Sequence, residues 1–130
     1  MSVQNAVFAL FGKNALSNAS LWSHMIAEHF KDNFTVETAT ASQAEPDCSG
    51  YTVELAGAVK FCDSKCVNYL EVQDEAKWGF NERGTAACYA DLDFLPSQNT
   101  RGGGAICTND ANAAEALKSA VVDMTSGMTC

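Results

Sequence analysis

Six cysteines, Cys48, Cys62, Cys66, Cys88, Cys107 and Cys130, constrain this chain more than any other feature. An even set of thiols in a small chain predicts disulfide staples formed in an oxidising compartment. Six cysteines allow 15 pairings, and spacing does not choose among them. Two other uses of the thiols are disfavoured. A zinc site is built from close Cys or His pairs, and here Cys62 and Cys66 form the lone close pair. The two histidines, His24 and His29, stand about 140° apart on a helix, on different faces. Redox chemistry of the thioredoxin kind needs C-x-x-C at a helix start, whereas "CDSKC" has the wrong spacing and places Asp63 against a thiolate. No metal and no cofactor are expected. One pairing is disfavoured by geometry. Cys107 and Cys130 bracket a predicted helix about 22 Å long, while bonded Cα atoms lie about 5.5 Å apart. Each of the two is expected to tie one helix end to a sheet.

The 130 residues suit one disulfide-stabilised domain covering 1–130. Apolar residues at 47% and charged residues at 18% place the chain outside the disordered range. Eight basic against 16 acidic residues give a net charge of -8, which repels phosphate backbones and anionic lipid. The basic residues are scattered singly along the sequence, so neither nucleic acid nor membrane is an expected partner. The apolar run Ala6 to Phe11 is too short for a bilayer span, which needs about 20 residues. It also lacks the flanks of a signal peptide. The expectation is a secreted, extracellular protein in its mature form with an added Met1.

Periodicity orders the elements. Ala6 to Gly12 is apolar on both alternating faces and reads as a central strand. A helix is expected from an N-cap at Asn14 to about Asn33, with Ala15, Ala19, Trp22, Ile26, His29 and Phe30 as its apolar stripe. Strands follow at Phe34–Thr40, Tyr51–Phe61, Val67–Gln73 and Thr85–Leu95. "DEAKWGFNERG" and "PSQNTRGGG" read as loops. A last helix, capped by Thr108, Asn109 or Asp110, carries Ala113, Leu117, Ala120, Val121 and Met124 and stops at Gly127. The order predicts an α+β fold, an antiparallel sheet with both helices on one face in a ferredoxin-like or related sandwich. The doubly apolar first strand motivates a homodimer through the uncovered face.

Chemistry is harder to find. Asp91 and Asp93 share a strand face at a spacing open to paired carboxylates, but both are expected in solvent. Ser23, His24 and His29 lack a nucleophile-elbow signature; His29 is expected in the core and His24 in solvent. The run Arg101-Gly-Gly-Gly104 lacks phosphate-loop spacing. Asn18-Ala-Ser20 and Asn33-Phe-Thr35 match the glycosylation sequon. Trp78, Phe80 and Arg83 fall in a charged loop and form the candidate interaction surface, because Trp and Arg are enriched at interface hot spots.

The even cysteine set, the small acidic domain and the lack of a catalytic signature resemble the secreted cysteine-rich effectors of plant-associated fungi. The closing segment "AICTNDANAAEALKSAVVDMTSGMTC" is similar to α/β-sandwich killer toxins. The resemblance implies a non-enzymatic protein that contacts a host or partner-effector protein. A killer-type or antimicrobial toxin and a small dimeric α/β-barrel enzyme are the alternatives.

Overall fold

Ser20 opens the first helical segment: its hydroxyl accepts the Ser23 N–H at 3.2 Å, the usual side-chain cap on an orphan donor. The computed structural model describes residues 7–16, 18–38, 46–62, 65–70, 77–94, 96–124 and 130. From Ser20 a π-helical turn, Leu21–Ile26, runs directly into α1, Ala27–Phe30. Lys31 ends it in the left-handed conformation, φ 51°. The expected start at Asn14 is thus corrected to Ser20. The wide π turn, bonded i to i+5, also rotates the stripe. It buries Leu21, Trp22, Ser23, Ile26 and Ala27 and leaves His29 exposed, packed edge-on against Phe11 at 5.1 Å and Phe30 at 4.9 Å.

The described strands are β1 (Phe8–Lys13), β2 (Phe34–Glu37), β3 (Val53–Cys62), β4 (Cys66–Leu70), β5 (Trp78–Asn81), β6 (Ala87–Ala90), β7 (Gly103–Thr108) and β8 (Val121–Met124). They form one sheet in the order β1-β7-β6-β5-β2-β3-β4, with β8 paired to β3. Among these pairs only β2 with β3 is parallel. Helix α2, Ala111–Ala120, is capped by Asp110, whose carboxylate accepts the Asn112 N–H at 2.9 Å.

The α+β class, the helices and the disulfide stapling are as the sequence suggests. The bridges are Cys48–Cys130, Cys62–Cys66 and Cys88–Cys107. Cys107 and Cys130 indeed take separate partners. The placement of the helices differs from a one-sided sandwich. Trp22, Ile26, Phe34, Val36, Val53, Leu55, Cys88 and Cys107 form one core cluster. Ala56, Val59, Trp78, Phe80, Ala87, Ala114 and Leu117 form another. Neighbours along a strand point to opposite faces, so Ala87 against Cys88 puts α2 on one face and the first helical segment on the other. β3 serves both faces by the same alternation, Leu55 on one and Ala56 on the other, and the slip in its pairing with β8 between Ala56 and Val59 lets those two share a face. Gly79 makes the first face possible: a Cβ there would sit 2.9 Å from both Trp22 Cζ3 and Val36 Cγ1. Trp22 fills that space and donates from Nε1 to the Leu92 carbonyl at 3.0 Å.

Candidate functional site

Pairing direction gathers chemistry at one end of the sheet. β5 and β6 are antiparallel, as are β2 and β5, so the start of β5 lies beside the ends of β2 and β6. Glu37 closes β2 with no exposed surface, and its cross-strand neighbour is Trp78, one residue beyond Lys77. Lys77 Nζ lies 3.7 Å from Asp93 Oδ1, with side-chain exposures of 24% and 15%. Burying such groups is tolerable only where opposite charges and donors sit together. β1 and β7 reach the same end, where Lys13 pairs with Gly103. Lys13 Nζ donates to the Asn99 carbonyl at 2.7 Å, and Arg101, exposed, immediately precedes β7. Asp91 accepts the Gly104 N–H at 2.8 Å, which starts β7 beside β6. Lys77 is level with Phe11 in the register, two residues short of Lys13, so at strand spacings of about 4.8 Å the two lysines stand about 16 Å apart across β7 and β6.

This end borders a cleft of about 240 Å³ lined by Ser20, Ser23, His24, Pro46, Asp47, Phe94 and Asn99. Phe94 follows Asp93 directly, and its N–H donates to Thr38 Oγ1 at 3.3 Å, joining the cleft to the end of β2. Ser20 N–H donates to His24 Nδ1 at 3.3 Å. The Ser23 hydroxyl lies 3.1 Å from the same nitrogen. Asp47 is held below the ordinary 3.8 chiefly by the Ser49 hydroxyl and N–H, with smaller help from Ser23 and the charge of His24, against some burial. The arrangement offers cations for a phosphate, carboxylates beside them and an imidazole able to pass a proton.

A second cleft, of about 230 Å³, includes Asn33, Thr52, Glu54, Glu82 and Lys118 in its wall, but most of its polar groups serve the fold. Asn33 accepts from Thr52 N–H and donates to Glu82, and Glu54 accepts the Cys130 N–H. Asn33 is thus engaged at both ends of its amide, whereas Asn18 of the other sequon is exposed.

Two residues of the expected interaction surface are buried together, their rings 6.4 Å apart. Trp78 and Phe80 are core residues of β5, 5% and 6% exposed under α2, because the supposed loop is an interior strand. Arg83 alone reaches solvent; it binds Asp32 at 3.3 Å and donates to the Phe30 carbonyl at 2.7 Å, covering the carbonyl end of α1. Asp93, expected in solvent, is half-buried against Lys77. Sequence reasoning missed the Lys13, Lys77 and Arg101 group because these residues are 24 to 88 positions apart. The available signal was the alternation Trp78-Gly-Phe80 immediately after Lys77, which marks a strand with a cation at its mouth.

Residues 1–126 match the family model described as Deoxyribonuclease II. The chain is 29% identical over 127 residues to deoxyribonuclease-2-beta of Homo sapiens, covering 93% of the chain and 35% of that relative. It is 28% identical over 125 residues to deoxyribonuclease-2-alpha of Mus musculus, 94% and 35% of the respective chains. A Burkholderia pseudomallei relative bearing the deoxyribonuclease-2 designation is 28% identical over 116 residues, 86% of the chain and 33% of the relative. The chain therefore spans about a third of the length of these relatives.

These relationships overturn the fungal-effector and killer-toxin resemblance, and with it the non-enzymatic role and the host-protein partner. An even cysteine set and an acidic balance are coarse properties that unrelated small disulfide-bonded proteins share. The exclusion of nucleic acid falls too. Net charge governs long-range steering and non-specific affinity, whereas a site needs only local cations, and folding assembles these from residues isolated in sequence.

Proposed function

The chain belongs to the deoxyribonuclease II family, and from that premise we propose that it acts on DNA, attacking the phosphodiester backbone at the sheet end that holds Lys77. The family match over residues 1–126 carries this reading. The local geometry supports it: Lys77, Lys13 and Arg101 share the end of the sheet where His24 and Asp47 line the adjoining cleft. In this proposal Lys77 meets the phosphate, Asp93 orients the ammonium, and His24 exchanges the proton that hydrolysis requires. Export to an oxidising compartment belongs to the same proposal and is supported by the three disulfides.

The test is cleavage of supercoiled plasmid by the purified, oxidised chain over a range of pH, beside Lys77→Ala and Arg83→Ala. Cleavage by the unaltered protein, lowered about 100-fold by Lys77→Ala and unchanged by Arg83→Ala, is the expected result. Absence of both cleavage and DNA binding at every pH sinks the proposal. Equal cleavage by Lys77→Ala moves the site elsewhere.

A further inference from the structure

The hairpin that joins β3 to β4 runs on past its neighbours in the sheet. β8 pairs with β3 as far as Val59, so beyond it Lys60, Phe61 and Cys62 have β4 alone beside them among the described strands. On the open side lies a groove of about 490 Å³, bounded by these three residues and by Ser119, Ala120 and Val122 where α2 turns into β8. Phe61 and Val122 are 40% and 57% exposed, and Phe61 is held edge-on against Trp78 at 6.1 Å. Lys60 is exposed beside them. Cys62, bonded to Cys66, therefore sets an electrophilic disulfide sulfur in the wall of a largely apolar groove that carries the Lys60 ammonium.

We propose that this groove is a thiol–disulfide exchange site: a small thiol bearing a carboxylate binds there and opens the Cys62–Cys66 bridge, while the other two bridges stay closed. Three contrasts among the bridges select this one. Cys88 and Cys107 are 0% and 1% exposed, so an external thiolate does not reach them in the folded protein. Cys48 and Cys130 are exposed, but acidic groups adjoin them. Asp47 precedes Cys48, its carbonyl lies 3.7 Å from Cys130 Sγ, and Glu54 accepts the Cys130 N–H at 3.0 Å. That bridge repels an anionic thiolate, whereas Lys60 and Lys65, both exposed, flank Cys62 and Cys66 and attract one. Asp63, the acidic residue between these cysteines, lies outside the described residues. Finally, the Cys62–Cys66 bridge closes 4 positions, against 82 for Cys48–Cys130. A bridge that restricts the unfolded chain little is, by reciprocity, little protected by the fold. Ala58, Val59, Lys60 and Phe61 keep their register with Leu70, Tyr69, Asn68 and Val67, so the hairpin has a backbone ladder to hold it once the bridge is open.

The incoming thiolate bonds to Cys62 Sγ from the groove as the S–S bond breaks, and Cys66 leaves as a thiolate next to Lys65 and takes a proton from water. A second thiolate attacks the outer sulfur of the mixed disulfide, releasing Cys62 and the disulfide of the reductant. Two thiols thus supply the two electrons that the bridge accepts.

Graded reduction of the folded, oxidised chain by glutathione, which is anionic, and by uncharged β-mercaptoethanol tests this, with alkylation and peptide mass mapping as the readout. With glutathione, labels on Cys62 and Cys66 are expected while the other four cysteines stay unlabelled and far-UV circular dichroism is unchanged. Lys60→Gln should slow glutathione about threefold, the worth of one exposed charge pair, and leave the rate with β-mercaptoethanol as it was. Labels appearing first on Cys48 and Cys130, six labels appearing together, or no label short of unfolding each overturn the proposal. So does an equal effect of Lys60→Gln on both thiols, which removes the groove from the reaction. Labelling is read without DNA, so the outcome is independent of the nuclease reading.

Discussion

Asp47 gathers the local electrostatics of the cleft. Its carboxylate accepts the Ser49 N–H at 3.0 Å and the Ser49 hydroxyl at 2.6 Å, and these bonds favour the ionised form. The folded protein therefore holds Asp47 below 3.8, while the unfolded chain binds the proton more readily. Stability from this group is present above the ordinary aspartate range and is lost as pH falls through the folded pKa. Thermal melts between about pH 6 and pH 2 should show a shallower acid decline for Asp47→Asn than for the unaltered protein. Ser49→Ala should move the decline upward in pH; identical profiles would mean that Asp47 contributes nothing. None of this was legible from "EPDCSG", where Asp47 reads as one turn residue among several. Local hydrogen bonds become visible only when the turn is built.

At the level of elements, the two helices illustrate opposite outcomes. The start of α2 was readable, because Asp110 and the run after it carry the polar cap and the helical spacing together. Asp110→Ala leaves an exposed position without its bond to the Asn112 N–H, and should destabilise the fold by about 1 kcal/mol. That corresponds to about 4 °C in Tm, measurable by calorimetry; an unchanged Tm would remove the cap from the account. The end of α2 was not readable. Val121 and Met124 continue the apolar stripe, yet they belong to β8, because β3 offers them a ladder and β-branched residues fit a strand well. Gly127, the expected stop, lies outside the described residues. β5 and β7 were hidden for related reasons. Four residues with Gly79 at the second position give a weak alternation, and the glycines of β7 resemble a loop until Phe11 and Gly12 are seen lying against Gly104.

Across the whole molecule, the disulfides differ in how much chain they close. Cys48 and Cys130 are separated by 82 positions and Cys62 and Cys66 by 4. Loop-closure entropy therefore predicts a loss of roughly 4 kcal/mol for Cys48→Ser with Cys130→Ser, against roughly 2 kcal/mol for Cys62→Ser with Cys66→Ser. Urea titrations of both double variants check the ranking, and equal midpoints would contradict it. The sequence by itself determined that the thiols would be spent on staples, that the class would be α+β, and that Cys107 and Cys130 would not join each other. These follow from composition, periodicity and helix length, which are local or additive properties. Only the tertiary structure decided which cysteines pair, that the helices take opposite faces, and that Lys13, Lys77 and Arg101 lie at the same end of the sheet. Those outcomes depend on strand order, and a sheet that joins β1 to β7 and β2 to β5 brings together residues whose distance along the chain says nothing about their distance in space.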